Sequence, residues 1–131
     1  MKIAADTNVL IRYLIWDDEA QAEAAAAAIE NADTVFVSII VLCEIAWVLQ
    51  RSYRYAATEI ANTLRRLITA RNIEVDRPAA ESGLATLERG GDFADGAIQS
   101  DAVRAGCHRL VTFDREFAHL LNPADVVLLG S

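Results

Sequence analysis

Short apolar runs that alternate with helical segments are the feature that most constrains the fold of this 131-residue chain. Five such runs are each too short for a helix and are rich in aliphatic, β-branched or aromatic side chains: 3–5, 34–37, 73–75, 109–113 and 126–129. This alternation predicts an α/β fold, a three-layer α/β/α sandwich with a mostly parallel central sheet. No linker rich in Gly, Ser or Pro divides the chain, so we expect one domain over residues 1–131.

The first apolar run ends in a carboxylate. Ile3 to Ala5 is followed by Asp6-Thr7-Asn8, and the run is apolar enough to predict a central strand that is buried on both faces. Ligands of open α/β sheets bind outside the carboxyl ends of such strands, which places Asp6 at the mouth of a site. The alternative is that Asp6 or Asn8 only caps the next helix, since Asp and Asn are good N-cap residues.

A second acid lies within an otherwise uncharged helix. Between Ser38, the expected N-cap, and Leu49, the one charged side chain is Glu44. At helical spacing it shares a stripe with apolar side chains, which predicts an apolar surrounding for the carboxylate: Ile40, Cys43, Trp47 and Val48. A buried carboxylate must be neutral, paired with a cation or bound to a metal, and an ion pair with Arg51 or another arginine is as good an interpretation as a metal.

Further acids follow in the second half of the chain. Asp92 is an expected N-cap of a helix to about Ala105, and Asp95 lies one turn further on the same face, where acids also suit the helix dipole. The strand at 109–113 ends in Asp114, as the first strand ends in Asp6. In the predicted topology these acids and Glu44 converge on one cleft, and their mutual repulsion calls for a cation. Oxygen ligands without His or Cys favour Mg²⁺ or Mn²⁺ over zinc.

Composition limits where such a protein acts and what it attracts. The net charge of −7 gives no general attraction to nucleic acid, although eleven of the twelve basic residues are arginines, which suit phosphate contacts. We find no membrane-spanning stretch and no signal peptide, which predicts a cytoplasmic protein. Cys43 and Cys107 lie in apolar surroundings without metal-ligand spacing, which predicts buried thiols.

Four segments together carry a family resemblance: Asp6-Thr7-Asn8-Val9-Leu10, Ser38 through Leu49 with Glu44, Asp92-Phe93-Ala94-Asp95, and Thr112-Phe113-Asp114-Arg115-Glu116-Phe117. In this order and at these spacings the sequence resembles PIN-domain ribonucleases, and more closely the compact VapC-type toxins of bacterial toxin-antitoxin pairs. The resemblance covers essentially the whole chain. Gly96 departs from it, because alanine is common there and glycine slightly weakens a helix.

The resemblance implies a Mg²⁺- or Mn²⁺-dependent endoribonuclease that hydrolyses RNA phosphodiester bonds. It implies a toxin of a type II pair, a role that the brevity of the chain also favours, with a cognate antitoxin as partner and a homodimer as assembly. The site roles that follow are listed by group. The catalytic and metal-binding acids are Asp6, Glu44, Asp95 and Asp114, with Asp92 as an auxiliary ligand. Thr7, Asn8 and Thr112 orient carboxylates or water, while Arg12 and Arg115 hold the phosphate or pair with a site acid.

Other functions fit the pattern less well. The first alternative is a PIN-fold RNA-processing nuclease without a toxin role. A receiver-like Mg²⁺-binding signalling domain would need paired acids after the first strand and a late lysine, but the chain has no lysine after Lys2. An aspartyl phosphatase would need Asp-x-Asp where Asp6-Thr7-Asn8 stands. A PIN fold kept only as a binding module is disfavoured by the complete acidic set.

Overall fold

A computed structural model describes residues 1–130 of the chain. These residues form two compact units, one from Met1 to Asp76 and one from Arg77 onward. Each unit is built from helices and parallel strands, which confirms the predicted α/β class. None of the helices within residues 1–130 combines the length and the apolar character that crossing a membrane requires.

The first unit has three strands and four helices within its residues. They are β1 (Lys2–Ala4), α1 (Thr7–Leu14), α2 (Glu19–Asn31), β2 (Thr34–Phe36), α3 (Ile39–Arg51), α4 (Ala57–Ile68) and β3 (Ile73–Glu74). The three strands lie where the sequence predicts them, with ends that differ by one residue. Helix α4 starts at Ala57, because the Glu59 carboxylate accepts a hydrogen bond from the Ala56 N–H at 2.9 Å and fixes the first turn there.

The sheet of the first unit has the order β1-β2-β3, and all pairs are parallel. Strand β2 is the middle strand, and its Val35 is fully buried. In β1, Lys2 and Ala4 are exposed and Ile3 is half-buried. The prediction of a central first strand buried on both faces is therefore wrong: β1 is an edge strand of this sheet, and the side chains of Lys2 and Ala4 are exposed.

The second unit contains α5 (Arg77–Glu88), α6 (Phe93–Arg104), β4 (Leu110–Thr112), α7 (Arg115–Leu120), a 3-10 helix (Pro123–Asp125) and β5 (Val126–Leu128). Strands β4 and β5 are parallel, with Leu110 opposite Val126. Helix α5 ends shortly before Gly90, whose φ of 94° is a conformation that glycine adopts readily.

Helices α5 and α6 approach closely because two glycines face the contact. A Cβ on Gly83 would lie 2.6 Å from the Phe93 ring, and a Cβ on Gly96 would lie 2.6 Å from Thr86 Oγ1. The Ser82 hydroxyl also donates to the Gly96 carbonyl at 2.6 Å. Glycine at position 96 is thus required by packing, and its effect on helix propensity is secondary.

The two cysteines differ from the prediction in one respect. Within residues 1–130, neither is in a disulfide, and Cys43 is half-buried in α3. Cys107 is exposed, so its predicted burial is wrong. It lies after the end of α6, in the connection to β4, where the chain passes over the surface.

Candidate functional site

Asp6 lies in the connection between β1 and α1, at the carboxyl end of the strand as predicted. It is the N-cap of α1, and its Oδ1 accepts a hydrogen bond from the Val9 N–H at 3.0 Å. The capping interpretation is therefore correct for this residue. Because Asp6 is solvent-exposed and an ionised carboxylate offers several acceptor sites, capping does not prevent metal binding.

Thr7 links this connection to helix α3. Its hydroxyl donates a hydrogen bond to Glu44 Oε1 at 2.9 Å, although 37 residues separate the two in sequence. Since Thr7 follows Asp6 directly, this contact brings the first two predicted ligands to one region of the first unit. This hydrogen bond also fixes the position of one oxygen of the Glu44 carboxylate.

The surroundings of Glu44 differ from those predicted. Glu44 is exposed, and so are Ile40 and Trp47 of its stripe, at 69% and 59%. The core face of α3 is instead made by Leu42, Ile45, Ala46 and Leu49. The predicted ion pair is also absent: Glu44 pairs with no cation within residues 1–130, and Arg51 lies over the Trp47 ring at 5.3 Å.

In the second unit, three of the predicted acids influence one another. Asp95, in the first turn of α6, is half-buried. Partial burial raises the pKa of its carboxyl group, and the negative charges of Asp92 and Asp114 raise that pKa further. The second unit therefore carries a group of like charges in which Asp95 bears an electrostatic penalty when ionised.

Asp92 occupies the N-cap position of α6, but its side chain does not cap the helix. Its backbone carbonyl accepts from the Asp95 N–H at 3.2 Å and from the Gly96 N–H at 3.4 Å, while its carboxylate makes no capping hydrogen bond. The predicted capping role of the Asp92 side chain is wrong. Its exposed carboxylate is therefore not committed to the end of the helix.

Asp114 is held in a fixed turn between β4 and α7. The Asp114 N–H donates to Thr112 Oγ1 at 3.0 Å, and Asp114 Oδ1 accepts from the Phe117 N–H at 3.0 Å as the cap of α7. The side chain of Phe117 is buried, which anchors this turn to the core of the second unit. The Thr112 hydroxyl thus contacts the backbone that carries Asp114.

Arg12 has a partner that sequence reasoning missed. Its Nη1 lies 3.0 Å from Asp17 Oδ1, and the Tyr53 hydroxyl donates to Asp17 Oδ2 at 2.8 Å. The Tyr53 hydrogen bond is the main cause of a lowered pKa at Asp17, with Arg12 adding to it. The sequence did give one signal, since Asp17 lies in the turn directly after the helix that carries Arg12. Arg12 therefore pairs with an acid outside the predicted set.

A groove of about 480 Å³ adjoins this ion pair in the first unit. Its lining is Thr7, Asn8, Ile11, Arg12, Asp17, Val48, Ser52 and Tyr53. Asn8 is exposed and faces this groove, but no hydrogen bond of its side chain supports the orienting role predicted for it within residues 1–130. Arg115 begins α7 and is exposed, and it forms no ion pair within the described residues.

The donors of both units suit a divalent cation by their chemistry. They are carboxylates, the ligands that hard ions prefer, and a cation would relieve the repulsion that raises the pKa of Asp95. Within residues 1–130, neither unit by itself places three or more His, Cys, Asp or Glu side chains as ligands of one ion. In the chemistry of their oxygen atoms and in their negative charge, these carboxylates suit a divalent metal ion.

Comparison with known proteins identifies one family. Residues 3–121 match the profile of the family described as PIN domain. The matched range contains every acid discussed above and agrees with the α/β architecture and parallel strands of the structure, which confirms the predicted fold class. No curated protein matches the chain.

Proposed function

The chain belongs to the PIN domain family, whose members are generally nucleases, and we propose that it is a metal-dependent endoribonuclease. The observation that carries the proposal is the acidic group of the second unit, where partial burial and the negative charges of Asp92 and Asp114 raise the pKa of Asp95. A protein that placed these acids only for helix capping would gain nothing from such repulsion. Acids whose pKa is raised by burial and by neighbouring like charges are typical of functional sites.

We assign the metal to the four acids of the family motifs. Asp6, Glu44, Asp95 and Asp114 would hold Mg²⁺ or Mn²⁺, with Asp92 as an additional ligand. When bound, the ion supplies a Lewis acid that stabilises charge on the phosphate oxygens and lowers the pKa of water. The Thr7 hydroxyl keeps Glu44 Oε1 oriented, and the Thr112 hydroxyl keeps the turn of Asp114 in place.

We assign different roles to Arg12 and Arg115: Arg12 has a structural role, and Arg115 binds the substrate. Arg12 is held by Asp17, so we assign it to shaping the groove beside Thr7 and not to direct capture of phosphate. Arg115 is exposed next to Asp114 and carries a planar guanidinium that can bind a phosphate through two hydrogen bonds. Because the chain carries a net charge of −7, such a local cation matters for holding RNA.

The finer role that we propose is that of the toxin of a type II toxin-antitoxin pair, acting in the cytoplasm. It rests on the resemblance of the four motifs to VapC-type toxins. The expected partners are RNA, a cognate antitoxin and a second copy of the chain. An RNA-processing nuclease without a toxin role is the second candidate, and the same site would serve it.

The test is cleavage of single-stranded RNA by the purified protein with Mn²⁺ or Mg²⁺, followed on a denaturing gel. We expect cleavage to require the ion and to stop with EDTA. Asp6→Asn, Glu44→Gln, Asp95→Asn and Asp114→Asn should each abolish it, with the fold checked by circular dichroism. Asp125→Asn, at an exposed position of the 3-10 helix, is the control and should cleave normally. Full activity in a folded Asp95→Asn protein would remove Asp95 from the site, and cleavage in EDTA would contradict the proposed chemistry.

The toxin role has a separate test in cells. Induced expression of the wild type should arrest growth, and Asp114→Asn should relieve the arrest. Sequencing of RNA ends after a brief induction would then identify the cleaved RNA. Active protein that accumulates to high yield without a growth defect would refute the toxin role and leave the nuclease proposal standing.

A further inference from the structure

One large apolar side chain stands unusually exposed beside a proposed metal ligand. Phe113 is 77% exposed, whereas Phe93 and Phe117 of the same unit are 2% and 6% exposed. Phe113 follows the last residue of β4 and directly precedes Asp114. Consecutive Cα atoms are about 3.8 Å apart, so the ring is attached next to the acid proposed to act on the phosphodiester.

The backbone that carries this ring is fixed on both sides. Thr112 accepts the Asp114 N–H through its hydroxyl and the Leu129 N–H, at 2.8 Å, through its carbonyl. Asp114 in turn caps α7. Beside the ring, a Cβ on Gly130 would lie 3.4 Å from Phe113 Cδ1, so the bare glycine backbone lies along one edge of the ring. The ring is therefore presented by an ordered turn and is not part of a loose loop.

The chemistry around the ring indicates what covers it. Two aliphatic side chains near the ring are also exposed: Val111, two residues earlier, at 58%, and Leu129, whose N–H binds the Thr112 carbonyl, at 40%. On its other side the ring is followed by the carboxylate of Asp114 and the exposed guanidinium of Arg115. An exposed aromatic ring combined with a nearby arginine is the arrangement by which proteins hold single-stranded nucleic acid, with bases stacked on rings and cations on the backbone.

We propose that Phe113 is a stacking platform for one base of a single-stranded RNA, adjacent to the phosphodiester bond that is cleaved at the metal site to which Asp114 is assigned. The proposal rests on the ribonuclease function above and specifies its substrate as unpaired RNA. Phe113 is a positioning residue. It holds the base, and because its turn is fixed it sets the position of the RNA strand relative to Asp114. Because every base has a flat face, the platform requires an unpaired base but selects its identity only weakly.

The test compares the affinity of Phe113 variants for a short, fluorescein-labelled, single-stranded oligoribonucleotide of mixed sequence. Fluorescence anisotropy is measured in EDTA, so that binding is separated from cleavage. Base stacking on an aromatic side chain corresponds to a change in affinity of about fivefold to about 150-fold. We expect Phe113→Ala and Phe113→Leu to weaken binding within this range and Phe113→Tyr to retain it. Val103→Ala, which shortens another exposed apolar side chain of the same unit, is the matched control and should not change binding.

The leucine variant separates stacking from simple apolar contact, because leucine keeps much of the apolar surface but has no aromatic face. Wild-type affinity of Phe113→Leu would overturn the stacking proposal. An oligonucleotide with one abasic position, moved along the strand, provides a second criterion. At the position that stacks, removal of the base should weaken binding to the wild type but not further weaken binding to Phe113→Ala. Loss of binding at every abasic position alike, in both proteins, would contradict the proposal.

The outcomes also separate this proposal from the function on which it rests. If the wild type cleaves RNA with Mn²⁺ and Phe113→Ala shows the same affinity, KM and kcat, the stacking role is refuted and the nuclease stands. If the wild type neither binds nor cleaves RNA, both fail. If Phe113→Ala leaves RNA binding intact but changes the oligomeric state in size-exclusion chromatography, the ring belongs to a protein contact and the proposal is overturned. If the stacking proposal is correct, the KM for RNA rises in Phe113→Ala and rises less in Phe113→Tyr.

Discussion

At the scale of single residues, Asp95 carries a carboxyl group that its surroundings make harder to ionise. Burial and the charges of Asp92 and Asp114 raise its pKa above the usual 3.8. In a group of this kind the folded state holds the proton more tightly than the unfolded state does. Its contribution to stability is therefore complete below pH 3.8 and is lost as the pH rises through the raised pKa.

This linkage predicts the behaviour of Asp95→Asn, which cannot ionise. In EDTA, its melting temperature should equal that of the wild type at acid pH and exceed it at neutral pH. The difference in melting temperature should grow as the pH is raised from acid to neutral. Thermal melts followed by circular dichroism across this pH range measure the effect. Asp101→Asn, at an exposed position of α6, is the control and should not develop such a difference. A variant that is less stable than the wild type at neutral pH would show that ionised Asp95 is stabilised by its surroundings.

Glu44 permits a second prediction at this scale. Because it is exposed and pairs with no cation within residues 1–130, Glu44→Gln should change the free energy of unfolding in EDTA by less than about 0.5 kcal/mol. The glutamine carbonyl can still accept the Thr7 hydroxyl hydrogen bond. Urea unfolding provides the measurement. A loss of roughly 3–5 kcal/mol would instead identify Glu44 as the partner of a buried cation.

At the scale of elements, the contact between α5 and α6 depends on glycine. Gly96→Ala gains about 1 kcal/mol of helix propensity. The new methyl group, however, would lie 2.6 Å from Thr86 Oγ1 and 2.7 Å from Gly83 Cα, so the helices must separate. Overpacking of this kind costs about 1–3 kcal/mol, and we expect a net loss of stability.

Urea unfolding of Gly96→Ala measures this loss. Asp101→Ala introduces alanine into the same helix at an exposed position and serves as the control, which should be neutral or slightly stabilising. Since Asp95 precedes Gly96, movement of the helix should also shift the proposed ligand and weaken Mn²⁺ binding. A Gly96→Ala protein as stable as the wild type would show that the two helices tolerate a wider spacing.

At the scale of the whole molecule, the chain is strongly acidic, with a net charge of −7. A divalent cation that binds only the folded state stabilises it by RT ln(1 + [L]/Kd), about 2.7 kcal/mol at a hundredfold excess over Kd. The melting temperature of the wild type should therefore rise with Mn²⁺ concentration, without any RNA present. Asp6→Asn, Glu44→Gln, Asp95→Asn and Asp114→Asn should each lose most of this rise, and Asp125→Asn should keep it. An equal rise in all variants would place the bound ion elsewhere.

Local sequence determined much of the secondary structure of this protein and the positions of the acids on it. The period of the apolar residues and the chemistry of the caps are properties of neighbouring residues, and they correctly located the five strands and the N-cap positions of α3 and α6. The same local rules placed Asp6 and Asp114 after the ends of strands and Asp95 in the first turn of a helix. These features depend on contacts only a few residues apart, which a single sequence contains.

The tertiary structure alone decided which surfaces face the core and which side chains meet. Both sides of α3 are apolar, so periodicity could not tell that Leu42 and Ile45 are buried while Ile40 and Trp47 face solvent with Glu44. The Thr7 contact with Glu44, the Tyr53 contact with Asp17 and the packing against Gly96 all join residues distant in sequence. Such pairs depend on how whole elements pack together, and no local pattern encodes that packing.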